Sequence, residues 1–401
     1  MAGTVALLGA GASVEAGVPA SMPMTEEIVE HISNDSGRLQ GIRQALNFAV
    51  GALVAHDTAA GASPYAGIDV ERLFSAVQML GNRGAVEVAP FVAAWSPILD
   101  SIGPEGRFPS LFDKELKDAI TSERPHGHKA EQLIREAIYS LTEKKDGQAT
   151  FRSLETSMIQ ALRTLVAIDP SNVDYLSPLL QISPSPIRIA TLNYDRSIEE
   201  LANRAGMVCD TGIDAWPGSH DWTWDTSAAI HLLKLHGSID WVPTSKMGLG
   251  GLRESRVVVS VPSGNDRGFR RDSPALVFGT RGKLRAEGPF LAMLRAFDDF
   301  LSSADRLLVV GYSFRDEHIN TAIRRWINLG PNRRLAVIDP NYDAPLLRNR
   351  SNPTFAQELT QAMSVRDGGE AHWREGFVVL ETGAGEGLRS LLGPGPSISA
   401  A

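Results

Sequence analysis

The sequence predicts an α/β fold: a Rossmann-like, doubly wound parallel sheet carrying a large α-helical insertion. Three observations predict it. Short apolar runs of strand length alternate with segments of helical periodicity at both ends of the chain. Several of those runs stop at glycine-bearing or polar loops, as parallel strands do where they face a ligand. The long stretch between them changes texture and repeats its apolar residues at helical spacing.

The first element is Thr4–Pro19, TVALLGAGASVEAGVP. Val5–Leu8 is the kind of run that makes a buried strand, and Gly9, Gly11 and Ser13 follow at once. Strand, glycine turn and helix together aim backbone N–H groups at a phosphate, and glycine admits a ligand without a Cβ in the way. An ordinary buried strand ending in a turn is the alternative. The dehydrogenase fingerprint is absent: Val14 stands where its third glycine belongs, and Glu26–His31 reads as helix where a second strand should end in an acidic residue. The turn points to a nucleotide and away from hydride transfer.

Met24–Ile32 reads as a helix with Thr25 as its N-cap. From about 35 to 180 the helical stretches are Asp69–Leu80 behind an Asp69 cap, Lys129–Thr142 and Phe151–Ile168. Loops at Gly61–Gly67, Ser101–Pro109 and Glu123–Gly127 separate them. This gives a discontinuous nucleotide-binding domain, 1–34 with 181–401, interrupted by a helical insertion at 35–180. After Pro186 come strands at Ile187–Leu192, Ile230–Leu235, Val257–Val261, Ala275–Phe278, Arg306–Val310, Arg334–Ile338 and Gly376–Glu381. Helices are expected at Ser197–Ala205, Phe290–Leu301 and Glu317–Asn328, with a disordered tail from Gly393.

Five strand ends carry the chemistry: Gly9–Ser13, Asn193–Asp195, His236, Gly311–Ser313 and Asp339. His236, near neutral in its unperturbed titration, could take a proton from a water or a ribose hydroxyl. Asn193 and Asp195, two apart on an extended segment, share a face; an amide can position water and a carboxylate can hold a carboxamide N–H. Either could instead cap the helix at Ser197–Ala205. Asp339 could accept from ribose hydroxyls or merely shape the turn before Pro340. His126 and His128 read as solvated loop residues, and no metal site is expected. Gly279–Lys283 (GTRGK) is too short for a phosphate-binding P-loop.

Composition narrows the partners. The formal charge is −8 with no basic cluster, which argues against direct nucleic-acid binding. Cys209 is the only cysteine, so neither an intrachain disulfide nor a cysteine-built zinc site can form. No signal-peptide pattern and no long apolar run appear, so a cytoplasmic protein without membrane contact is expected.

In order, GAGASVEAGVP, TLNYD (Thr191–Asp195), KLHGS (Lys234–Ser238), VVGYSFRDEHIN (Val309–Asn320) and VIDP (Val337–Pro340) resemble the sirtuin superfamily. They look most like its bacterial sirtuin-like branch of NAD-depleting antiphage effectors. The resemblance covers about 1–34 and 185–345. It implies NAD as substrate, with Gly9, Ala10, Gly11, Ala12 and Ser13 along the pyrophosphate and ribose. Gly311, Ser313 and Asp339 would lie toward the adenosine half. Asn193 would be the catalytic asparagine, His236 the base, and Asp195 the partner of the nicotinamide carboxamide. Deacylases of this superfamily carry a zinc module of paired cysteines and an Asp-Phe-Arg run after the glycine turn. Here there is one cysteine, and Ala20-Ser21-Met22 follows Pro19. The implied activity is therefore NAD hydrolysis to nicotinamide and ADP-ribose in abortive antiviral defence. A non-catalytic NAD or ADP-ribose sensor controlling a partner ATPase or nuclease is the alternative. A homo-oligomer, and a HerA-type ATPase or phage-derived activator acting through the helical insertion, complete the expectation.

Overall fold

The computed structural model describes residues 3–34, 40–63, 67–83, 147–216, 218, 221–244, 257–261, 276, 288–342, 354–367, 370–373 and 375–396. The chain divides into two compact units, Met1–Met24 with Leu162–Ala401, and Thr25–Ala161.

The first unit is built on seven parallel strands: β1 (Thr4–Leu8), β2 (Ile187–Thr191), β3 (Cys209–Asp210), β4 (Ile230–Lys234), β7 (Arg306–Val310), β8 (Arg334–Ile338) and β11 (Phe377–Leu380). Their order is β11-β8-β7-β1-β2-β4-β3, so the winding reverses between β1 and β7. In open α/β sheets a reversal of this kind is where a ligand crevice forms, beyond the carboxyl ends of the two strands. The register is level: Leu8 pairs with Thr191 and with Val310, Thr191 with Lys234, and Val310 with Ile338. Five neighbouring strands therefore release their chains at one height.

Strand residues are apolar on both faces because helices cover both. Val5, Leu7, Leu233, Leu307 and Val309 pack under α6 (Phe290–Ser302) and α7 (Glu317–Asn328), with Met293, Phe297, Ile323 and Trp326 in the same cluster. Trp326 is buried, and its indole Nε1 donates to the Ala304 carbonyl at 2.9 Å. On the other face Ala6, Leu8, Ile189, Leu232 and Val310 meet α5 (Ser197–Arg204), α9 (Ala384–Leu392) and a 3-10 segment, Pro170–Gln181.

Two small ribbons lie outside the sheet. β5 (Trp241–Thr244) pairs antiparallel with β6 (Val257–Ser260), which accounts for the apolar run at Val257. β9 (Ser364–Asp367) and β10 (Glu370–Trp373) form the other, after α8 (Phe355–Met363). Of the strand expected at Ala275–Phe278 only Leu276 is described, bridged to Gly237.

The second unit is helical. α1 (Ser21–Asn34) crosses into it and starts before the expected cap at Thr25, because Pro23 sits in the first turn, where no intrahelical N–H is required. Thr25 is consequently buried inside the helix. α2 (Gln40–Ala59) escaped the sequence reading: its apolar stripe is largely alanine and it contains Gly41 and Gly51. α3 (Val70–Gly81) begins where expected, with Asp69 Oδ1 accepting from the Glu71 N–H at 2.9 Å. α4 (Gly147–Leu165) starts four residues ahead of Phe151 and buries Phe151, Leu154 and Met158. The helix expected at Lys129–Thr142 lies outside the described residues.

Gly311 combines a φ of 61° with neighbours so close that a Cβ would stand inside the Gly11–Ala12 backbone. Gly206 has a similar φ of 65° but faces open space. Gly206→Ala should therefore cost about 1–2 kcal/mol, the left-handed penalty alone, and Gly311→Ala at least twice that in urea unfolding. Equal losses would contradict this account of the crevice.

Candidate functional site

The strand-end segments assemble on the ledge set by the sheet. After β1, Gly9 is extended and Ala10–Ala16 winds as a 3-10 segment ended by Gly17 at φ 91°. A 3-10 turn, and not an α-helix, thus follows the glycines. Cβ atoms at Gly9 and Gly11 would come within 2.6 Å and 2.8 Å of the Gly311–Tyr312 backbone. The Gly11 N–H donates to the Gly311 carbonyl at 2.9 Å, and the Gly9 N–H to Val310 at 2.9 Å. The backbone these glycines admit is that of the β7 turn.

Asn193 reaches across from β2. Its Nδ2 donates to the Gly9 carbonyl at 2.9 Å and to Ser13 Oγ at 2.8 Å, and its own N–H to Thr191 Oγ1 at 3.1 Å. Both amide hydrogens are committed, so what it can offer a ligand is its carbonyl oxygen. Tyr175, from the 3-10 segment before β2, donates its hydroxyl to the Ala12 carbonyl at 2.6 Å. Burial, reinforced by the Asp195 and Glu15 carboxylates, pushes that phenol well above its usual range.

Asp195 is 4% exposed and divided in use. Oδ1 accepts from the Ser197 N–H at 2.9 Å and from Ser197 Oγ at 2.5 Å, the turn that leads into α5. Oδ2 is buried with no hydrogen-bond partner among the described residues. A buried carboxylate oxygen left open is costly unless something fills it.

Beneath this loop lies Lys234, completely buried at the end of β4. Its ammonium donates to the Asp195 carbonyl at 2.5 Å and to Glu199 Oε1 at 2.8 Å, tying the β2 loop and α5 to β4. Burial pushes the Glu199 carboxyl up despite that cation beside it. The sequence signal for Lys234 is a lysine closing an apolar strand, Ile230–Leu235.

His236 stands two residues beyond Lys234, the end of β4, as Asn193 stands two beyond Thr191, and Lys234 and Thr191 are paired. Side chains nevertheless diverge. Ser13, Asn193 and Asp195 line one cleft; His236 lines another with Asp316, His318, Phe290 and Leu294. His236 Nε2 is 2.8 Å from Asp316 Oδ2, and both side chains are buried. The Tyr194 ring lies 6.4 Å from the imidazole, between centroids. Asp316 was not singled out in the sequence, although DEHIN before α7 carries an N-cap signal.

The adenosine-side candidates are less engaged. Ser313 is exposed beside Tyr312. Asp339 Oδ1 accepts from the Asn341 N–H at 2.8 Å, a turn-shaping bond, and burial raises its carboxyl above the usual range. No cluster of three or more His, Cys, Asp or Glu side chains among the described residues could hold a metal. His126 and His128 lie outside those residues.

The segment from β2 through most of α8, residues 187–362, matches the family model described as a SIR2-like domain. That part of the chain is similar to SIR2-like domains. Within it fall Asn193, Asp195, His236, Asp316 and Asp339, while the β1 glycine turn lies outside the match. A solved structure of a variant Sir2 homologue with 2'-O-acetyl ADP ribose aligns over 97% of this chain and 90% of its own, at 14% identity and a TM-score of 0.37. At that score the alignment speaks to neither fold nor ligand. No curated protein matches. The likeness to SIR2-like domains thus rests on the family match over 187–362, and the α/β fold on the sheet described above.

Lys234→Ala would leave Glu199 without its buried cation, a loss of about 3–5 kcal/mol. The double variant Lys234→Met/Glu199→Leu should recover most of it in urea unfolding. No recovery would show that the pair is not what anchors this loop.

Proposed function

We propose that this chain hydrolyses NAD at the nicotinamide–ribose bond, releasing nicotinamide and ADP-ribose. The observation that carries the reading is the open Asp195 Oδ2, buried on the ledge beside Asn193 and the glycine turn. A carboxamide N–H is the group such an oxygen would take, and nicotinamide presents one. The match of residues 187–362 to a SIR2-like domain supports an NAD-related function.

In this reading Ala10–Ser13 and the crevice between β1 and β7 take the pyrophosphate, and Gly311, Ser313 and Asp339 lie toward the adenosine ribose. Asp195 orients the nicotinamide, whose ring nitrogen leaves with the bonding electron pair. The Asn193 carbonyl positions a water whose oxygen bonds to the ribose carbon, and His236 accepts its proton. Acid–base help of this kind is worth about 10²–10⁴-fold. Asn193 and His236 now line separate clefts, so productive binding must bring their functions together around one bond.

The wider role is proposed on the same footing. The 35–180 insertion would mediate self-association or contact with an ATPase or phage-derived activator, restraining a toxic NAD-depleting activity used in antiviral defence in the cytoplasm. The separation of Asn193 from His236 also favours a second reading, a nucleotide sensor that regulates a partner without turnover.

Purified protein incubated with NAD, alone and with a partner ATPase, should yield nicotinamide and ADP-ribose by chromatography. Asn193→Ala and His236→Ala should each lower the rate at least 10²-fold. NAD binding without product under both conditions would support the sensor; wild-type rates in both variants would remove these residues from the chemistry.

A further inference from the structure

We infer that Asp316 is a positioning residue for His236, holding the imidazole in one tautomer and stabilising it once protonated; this rests on the hydrolase reading for its use, though not for its geometry. The carboxylate does two jobs with two oxygens. Oδ1 accepts from the His318 N–H at 3.0 Å and begins α7, while Oδ2 meets His236 Nε2 at 2.8 Å. Starting the helix needs only the first of these.

The segment between β7 and α7 is shaped to deliver that second oxygen. Gly311 turns the chain at φ 61°, and Phe314 is the one non-glycine residue with positive φ among the described residues, at 55°. A bulky side chain in that region is uncommon and needs its surroundings to hold it. They do so here: Asn320 Nδ2 donates to the Phe314 carbonyl at 2.8 Å, and the Tyr312 hydroxyl donates to Asn320 Oδ1 at 2.9 Å. The same hydroxyl accepts from the Asp316 N–H at 3.1 Å. Tyr312, Phe314, Asp316 and Asn320 thus form one buried brace around the aspartate.

Among the described residues that line its cleft, Asp316 is the carboxylate facing His236. α6 contributes the apolar Phe290 and Leu294, the β2 loop contributes the Tyr194 ring, and α7 contributes Ile319 and the titratable His318 besides Asp316. Lys234, two residues back, is engaged with Glu199 and the Asp195 carbonyl. A neutral His236 donates Nε2–H to Asp316, which leaves the other ring nitrogen as the base. When that nitrogen takes a proton from water, the carboxylate stabilises the cation without itself gaining the proton.

Asp316→Asn tests this, because an asparagine still caps α7 but brings no charge. Ring NMR of the histidines, with His236 assigned through His236→Gln, should show its titration midpoint falling by about one pH unit or more, the reach of a lost opposite charge. In NAD turnover kcat should fall at least tenfold with KM little changed, and the acidic limb of the profile should move to lower pH. Asp316→Ser, a second capping variant, should repeat both results if Asp316→Asn folds poorly. An unmoved His236 midpoint in both variants overturns the inference. If the wild type cleaves no NAD, the hydrolase reading fails alone, and the NMR midpoint still decides the pairing.

Discussion

At the centre of the sheet two glycine turns meet with no room for a side chain between them. Gly9 and Gly11 leave β1 against Gly311 and Tyr312 leaving β7, and backbone hydrogen bonds run directly from one turn to the other. This contact lies where the winding reverses, so it decides how closely the two halves of the sheet approach and how the crevice above them is shaped. Two groups on the rim are tied to this junction: Asn193 is held by the Gly9 carbonyl, and the β7 turn leads on to Asp316.

Around the junction the sheet supplies a level ledge, and buried polar bonds fix what stands on it. Lys234 draws the Asp195 loop down onto β4, Asn193 spends its amide hydrogens on the glycine turn, and Asp316 holds His236. Each bond lies in an environment where an unmatched polar group would be expensive. The result is a ledge whose polar groups are held in fixed orientations, with one carboxylate oxygen of Asp195 open among the described residues.

Much of this was legible in the sequence, and the failures have physical causes. Strands such as Arg306–Val310 and Arg334–Ile338 announce themselves because both their faces are buried and their apolar runs are continuous. That the five chemistry-bearing segments follow neighbouring strands could be read from their placement after those runs. α9 was hidden by Gly383, Gly385 and Gly387, yet Gly387 is what lets the helix lie against Ile338. α1 starts ahead of the expected Met24–Ile32, because Pro23 occupies its first turn, where a proline is tolerated. That the glycines after β1 also pack against the backbone leaving β7, 300 residues away, is not legible in the sequence. Lys234 and Asp316 were missed for the same reason: their partners are distant in sequence, and only the folded chain shows them.

The account depends on these strand ends forming a single nucleotide site at the β1–β7 reversal. The most direct measurement is a crystal structure of His236→Ala with NAD. The prediction is a pyrophosphate against residues 10–13 in that crevice, with the nicotinamide carboxamide on Asp195 Oδ2. NAD held elsewhere on the chain, or a nicotinamide pointing away from Asp195, would contradict it.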